Sequence, residues 1–204
     1  MKLLPIVALL SSLALIAAAN TACVPSAYSR PTLEVKRDKF RPGSDSVQLT
    51  VPSATVGPVG APYGAGSGRN DDFDVWLFAS PQQAGVVSED NVYFRLASVS
   101  SNSWQYLRCH FVNFLIDGQP VDAGDTEHDG TVGRGYVIEY VKFNVSLSLI
   151  DRMAQARSVE GKVCNTEFTF KPETLRLMRD FASTVRTGVV PQQPVDPREG
   201  TLGM

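Results

Sequence analysis

The acidic segment at residues 122–130, DAGDTEHDG, holds the residue types best suited to chemistry in this chain. Asp125, Glu127 and Asp129 alternate ahead of a glycine, as in the opening of a calcium loop, where alternating oxygens converge on a hard cation. The complete motif places a glutamate at its twelfth position, where this chain has Tyr136, and it needs helices where strands are predicted. We therefore predict a solvated, turn-rich loop without a metal, and a weak calcium site is the alternative.

His110 and His128 are the only histidines and the next candidates for metal ligands or a general base. His110 follows Cys109 in a predicted strand, so the two side chains are expected on opposite faces and unable to share one ion. No CxxC or HxxxH spacing supports a zinc site, and no GxSxG, SxxK or HExxH motif occurs. The sequence therefore predicts no metal, no cofactor and no catalytic residue.

Three cysteines are present, Cys23, Cys109 and Cys164. In an exported protein, an even pair of cysteines is most simply explained as a disulfide, so we predict that Cys109 and Cys164 are joined. Such a bond closes a loop of about 55 residues and contributes on the order of 4 kcal/mol. Cys23 is then left over, and we predict that it carries a lipid.

Residues 1–22 have the layout of a secretory signal peptide, with a basic start, a short apolar stretch and small residues before Cys23. The apolar stretch is short for a transmembrane helix, which needs about 20 apolar residues. Cleavage after Ala19 releases a soluble periplasmic or secreted protein. Residues 21–23 (TAC) instead resemble the end of the bacterial lipobox, with Asn20 in the place of its usual aliphatic residue. We predict a lipid anchor on Cys23 facing the periplasm, and the soluble form is the alternative.

Composition divides the remaining chain into a tether, one domain and a tail. Residues 23–31 are small and polar, as a tether is, and residues 32–187 are predicted to form a single domain. Within it, residues 52–72 are rich in Gly and Pro and predict a flexible loop, without the lysine and helix of a phosphate-binding loop. Residues 188–204 predict a disordered, proline-containing tail. The net charge of −2 argues against nucleic acid as a partner.

Aromatic and β-branched runs predict the strands of this domain. They lie at residues 32–36, 46–51, 73–80, 91–99, 104–117 and 135–145. A helix is predicted from Ser148, which has capping-box spacing to Asp151, to about residue 156. A hairpin at residues 159–170 and a second helix beginning at Pro172 follow. Strands followed by helices indicate an α+β fold, with a mainly antiparallel, sandwich-like β-sheet core and two C-terminal α-helices packed on it.

Several aromatic residues could line a groove, although packing within the sheet is their expected role. They are Trp76, Tyr93, Trp104, Tyr106, Tyr136 and Tyr140. The basic residues Lys171, Arg176 and Arg179 near the second helix are likewise expected to form a solvated face.

Residues 117–182 resemble a stretch of exported proteins and predicted lipoproteins of Gram-negative bacteria. The shared pattern is EYVKFNV, the short helix SLIDRMAQA, the hairpin SVEGKVCNTEFTF and then PETLRLMRDFAS. The resemblance implies an envelope domain without an assigned activity and supplies no catalytic residue. Together these observations predict a lipid-anchored envelope protein that binds a membrane through Cys23 and an envelope protein partner. The alternative is an exported hydrolase or ligand-modifying enzyme.

Overall fold

The computed structural model describes residues 30–37, 39–40, 45–57, 73–79, 92–101 and 103–191. Its strands are formed by segments in which apolar and polar residues alternate. In chain order the strands are β1 (Thr32–Lys36), β2 (Ser46–Val51), β3 (Thr55–Val56), β4 (Asp74–Ala79), β5 (Val92–Ser100), β6 (Val112–Ile116), β7 (Gln119–Asp122), β8 (Thr126–Gly133), β9 (Tyr136–Val145), β10 (Val159–Val163) and β11 (Thr166–Phe170). The helices are α1 (Leu147–Gln155) and α2 (Pro172–Thr187).

The strands pair into two antiparallel sheets. The larger sheet has six strands in the order β1-β2-β4-β5-β9-β8, and the smaller has five in the order β3-β11-β10-β6-β7. The two helices join the same apolar core as both sheets. The predicted class is confirmed: the fold is α+β, with a mainly antiparallel sandwich-like core and two helices packed on it.

Aromatic rings from both sheets meet in the middle of the core. Phe94 stacks on Phe143 within the larger sheet, with ring centroids 4.8 Å apart. Phe114 and Phe170 approach Phe94 from the smaller sheet, at centroid distances of 6.2 and 6.4 Å. These offset and tilted pairs add directional contacts to the apolar area that the two sheets bury.

Both helices have boundaries that their sequences explain. Ser146, rather than the predicted Ser148, caps α1, and its hydroxyl accepts a hydrogen bond from the Leu149 amide at 3.1 Å. The capping-box prediction was wrong because β9 ends at Val145 and delivers Ser146 directly to the first turn. Pro172 opens α2 as predicted, and Gly188 ends it in the left-handed conformation.

Two loop predictions need correction. Residues 52–57 of the predicted loop at 52–72 include β3, which pairs with β11 because Thr55 and Val56 lie opposite Phe170 and Thr169. Much of the predicted acidic loop is β8, which pairs along its full length with β9. The predicted signal peptide, Cys23, most of the tether, residues 58–72 and most of the tail lie outside the described residues. Within the described part, no helix is long and apolar enough to cross a membrane.

Gly161 gives a direct test of how the smaller sheet packs. The Phe168 ring lies across the site where a Cβ at position 161 would stand. We expect Gly161→Ala to lower the free energy of unfolding by about 1–3 kcal/mol, because the methyl group forces the ring out of a packed position. In a Phe168→Leu background the same Gly161→Ala change should cost less, as measured by chemical denaturation. Unchanged stability of the single variant would contradict this packing.

Candidate functional site

Residues 103–111 connect β5 to β6 and form the 103–111 loop, where the features with functional potential converge. The sequence predicts a strand over residues 104–117, but only Val112–Ile116 is one. The prediction fails because the amides of Gln105 and Tyr106 donate to a side chain rather than to a neighbouring strand. The loop therefore has its own backbone partners.

Glu139 is the side chain that holds this loop. It lies on the core-facing side of β9 and is 1% exposed. Its Oε2 accepts a hydrogen bond from the Gln105 amide at 2.6 Å, and its Oε1 accepts one from the Tyr106 amide at 2.8 Å. A buried carboxylate is tolerated where such donors replace water, and here the donors belong to the backbone of the loop.

His128 is the third partner of Glu139. Its Nε2 lies 3.0 Å from Glu139 Oε1, and both side chains are buried. The His128 ring also contacts Trp104 edge-on at 5.6 Å and His110 at 5.9 Å, measured between ring centroids. The structure thus brings the two histidines together, and His128 contacts a buried carboxylate. Even so, no group of three His, Cys, Asp or Glu side chains in the described residues could hold a metal ion.

A disulfide ties the far end of the loop to the smaller sheet. Cys109 and Cys164 are bonded, with their Cα atoms 5.8 Å apart, as the cysteine count predicts. The Tyr106 hydroxyl contacts Thr166 Oγ1 at 3.1 Å, and Ser100 Oγ donates to the Ser103 carbonyl at 2.5 Å. The loop is therefore fixed from both sheets.

The same loop presents large apolar side chains to solvent. Trp104 is 39% exposed, Leu107 is 52% exposed and Phe111 is 54% exposed. Val132, near the end of β8, is 63% exposed, and the Trp104 ring lies against Gly130 two residues before it. We call these four side chains the apolar ridge. The 103–111 loop is held by Glu139 and the disulfide, and β8 is held by its pairing with β9.

The acidic residues of the calcium-site alternative do not converge in the described structure. Glu127 and Asp129 alternate along β8 on the face opposite His128, and they lie across from residues of β9. Asp129 Oδ2 accepts a hydrogen bond from Lys142 Nζ at 2.8 Å. Lys142, with help from the Gly130 amide, lowers the pKa of Asp129, and Asp129 in turn raises the pKa of Lys142. Asp129 is thus committed to a surface ion pair.

The outer face of the larger sheet carries an aromatic and basic cluster. The Arg95 guanidinium lies over the Trp76 ring, with its Cζ 3.1 Å from the ring centroid, and 4.7 Å from the Tyr140 centroid. Trp76 and Tyr140 therefore pack within the sheet, which is the role expected for them, and they pack against a cation. In this arrangement the guanidinium covers the Trp76 face.

An open cleft lies at the other end of β6, with a volume of about 310 Å³. Its lining residues are Ile116, Asp117, Gln119, Arg152, Gln155 and Ala156. Asp117 Oδ1 already accepts hydrogen bonds from the amides of Arg157 and Ser158. The Asp117 carboxylate therefore orders the chain after α1. Glu139, His128 and His110 do not line this cleft.

Sequence reasoning missed Glu139, although a signal for it exists. Val137, Val141, Phe143 and Val145 define the core-facing positions of β9, and Glu139 occupies the same face. A lone acid within an otherwise apolar strand face indicates a buried carboxylate with dedicated partners. What the strand pattern does not reveal is that those partners are amides more than thirty residues away.

Comparison with known proteins gives no match: no family model, curated protein or solved structure is similar to this chain. The resemblance to exported proteins therefore stays a prediction.

Proposed function

We propose that this protein is a cell-envelope binding or assembly module, exported and lipid-anchored through Cys23, that makes contact through the apolar ridge. The observation that carries the proposal is that the 103–111 loop exposes large apolar side chains while hydrogen bonds to Glu139 and a disulfide hold its backbone in place. Export is supported by the signal-like N-terminus and by the Cys109–Cys164 disulfide, because disulfides persist in oxidising compartments.

A fixed backbone favours binding through these side chains. Ordering a loop on association lowers affinity, whereas a loop that is already ordered avoids that loss. Trp104, Leu107 and Phe111 are the kind of large side chains that dominate binding energy when a partner buries them. Exposed apolar groups concentrated on one restrained loop therefore support an interaction surface.

Hydrolysis is the second candidate, and the His128–Glu139 pair is the observation that favours it. Both Glu139 oxygens, however, already accept backbone hydrogen bonds, and Oε1 also contacts His128. His128 is buried beneath Trp104 in this arrangement. The pair is therefore better suited to holding the loop than to transferring protons to a substrate.

Site-specific crosslinking in intact envelopes tests the binding surface. We expect a photo-reactive benzoylphenylalanine in place of Leu107 to form adducts with an envelope component. The same residue in place of Leu115 should not, since Leu115 is also exposed but lies on the outer face of the smaller sheet. Equal adduct formation at the two positions would contradict the proposed surface.

Fractionation tests the anchor separately. We expect Cys23→Ala to release the protein from membranes and to abolish labelling by a fatty-acid probe, because the thiol that carries the lipid is gone. Cys109→Ala combined with Cys164→Ala should leave the labelling intact and serves as the control. A Cys23→Ala variant that is still labelled and fractionates unchanged would rule out the anchor.

A further inference from the structure

We infer that the partner of the apolar ridge is an anionic lipid bilayer, into whose interface Trp104, Leu107 and Phe111 insert. This inference rests on the proposed function and names its ligand class. Trp is an amphipathic residue that favours the headgroup level of a bilayer, where its ring is apolar and its N–H remains hydrated. Leu107 and Phe111 add apolar area that can leave water on contact.

The charges around the ridge favour an anionic surface. Residues 103–116 contain no Asp or Glu, and the exposed Arg108 lies between Leu107 and Phe111. Arg134, also exposed, follows Val132 in the turn between β8 and β9. Each basic residue near an anionic bilayer surface strengthens binding, and arginine can keep its charge hydrated while its stem lies along apolar groups.

The acidic residues of β8 and β9 are directed away from the ridge. Glu127 and Asp129 lie on the face of β8 opposite His128, and Asp129 is paired with Lys142. Glu139 is buried and occupied by the loop amides. The ridge therefore presents apolar and basic groups together, which is the composition of a surface that binds anionic lipid.

The position of the N-terminal strand is compatible with one membrane plane. Through the register, Thr32 of β1 lies in the row of Thr50, Trp76 and Arg95, and β1 runs from there away from the end where β5 meets the loop. Five strand spacings, roughly 24 Å, separate β1 from β8. The chain from Cys23 to Thr32 can extend to about 30 Å. A lipid on Cys23 and the ridge can therefore reach the same bilayer.

The two tryptophans of this chain provide the test. Trp76→Phe leaves Trp104 as the sole tryptophan, and Trp104→Phe leaves Trp76, which lies under Arg95 on the outer face of the larger sheet. Each full-length protein is mixed with vesicles of phosphatidylcholine and phosphatidylglycerol whose acyl chains carry bromine. We expect Trp104 emission to shift to shorter wavelength and to be largely quenched, and Trp76 emission to be unaffected.

Flotation with the same vesicles measures whether the protein is attached to the membrane at all, whereas Trp104 quenching measures whether the loop inserts. Leu107→Gln should raise the lipid concentration that gives half-maximal quenching of Trp104 by about tenfold. Leu115→Gln should leave that concentration unchanged. Vesicles of phosphatidylcholine alone should quench much less. If the protein floats with anionic vesicles while Trp104 is unquenched, or if both tryptophans are quenched equally, the lipid inference is overturned. Protein adducts at position 107 in envelopes would then still support the proposed binding function.

Discussion

Replacing Glu139 with alanine should lower the free energy of unfolding by about 3–5 kcal/mol, measured by urea or guanidinium denaturation. The reason is that three buried or half-buried donors lose their acceptor at once: the amides of Gln105 and Tyr106 and the His128 ring. The methyl group left behind cannot replace a carboxylate between two sheets. This is the largest effect that we expect from any single substitution proposed for this protein.

Two further variants make the Glu139 result specific. Glu127→Ala, which removes an exposed acid from the neighbouring strand, should change stability by less than about 0.5 kcal/mol. Glu139→Gln keeps the shape and one acceptor oxygen, so it should lie between the alanine variant and the native protein. A native-like midpoint for Glu139→Ala would show that the carboxylate does not hold the loop.

Removing the disulfide should have the second-largest effect. Its two cysteines are 55 residues apart, and releasing a closed loop of that length is expected to lower stability by about 4 kcal/mol on the chain-entropy model. The double variant Cys109→Ala, Cys164→Ala measures this loss without an added reductant. A single cooperative transition at a lower denaturant concentration would show that the folded sandwich persists, and its slope should rise because the released chain exposes more surface on unfolding.

Peptide mapping provides the control for this second prediction. Under non-reducing conditions, a single crosslinked peptide should contain Cys109 and Cys164, and reduction should separate it. The native protein and the double variant should then have the same stability in the presence of a reductant. Two free thiols in the exported protein would contradict the disulfide, whatever the stability of the variant.

The two restraints should also be coupled through the loop that they share. Glu139 holds the loop at Gln105 and Tyr106, and the disulfide holds it at Cys109. Once either restraint is removed, the loop is already partly released, so removing the other should cost less than it does alone. For function, either variant should weaken binding through the apolar ridge because its side chains are no longer held in one arrangement.

Local sequence patterns were sufficient for most of the elements. In β9, the alternation of Val141, Phe143 and Val145 with polar or aromatic neighbours identifies a strand and its two faces. Pro172 and Gly188 bound α2 because the first lacks an amide donor and the second tolerates the left-handed conformation. The cysteine count pairs Cys109 with Cys164 for a chemical reason that does not depend on the fold.

Only the tertiary structure decided how the 103–111 loop is used. Its sequence, with aromatic and apolar residues in close succession, satisfies a strand pattern. What prevents a strand there is Glu139, more than thirty residues away, which takes the amides that a neighbouring strand would need. The same long-range packing brings His110 next to His128 and leaves Leu107 and Phe111 exposed. Periodicity records how each residue relates to its chain neighbours, whereas these contacts depend on which strands the two sheets bring face to face.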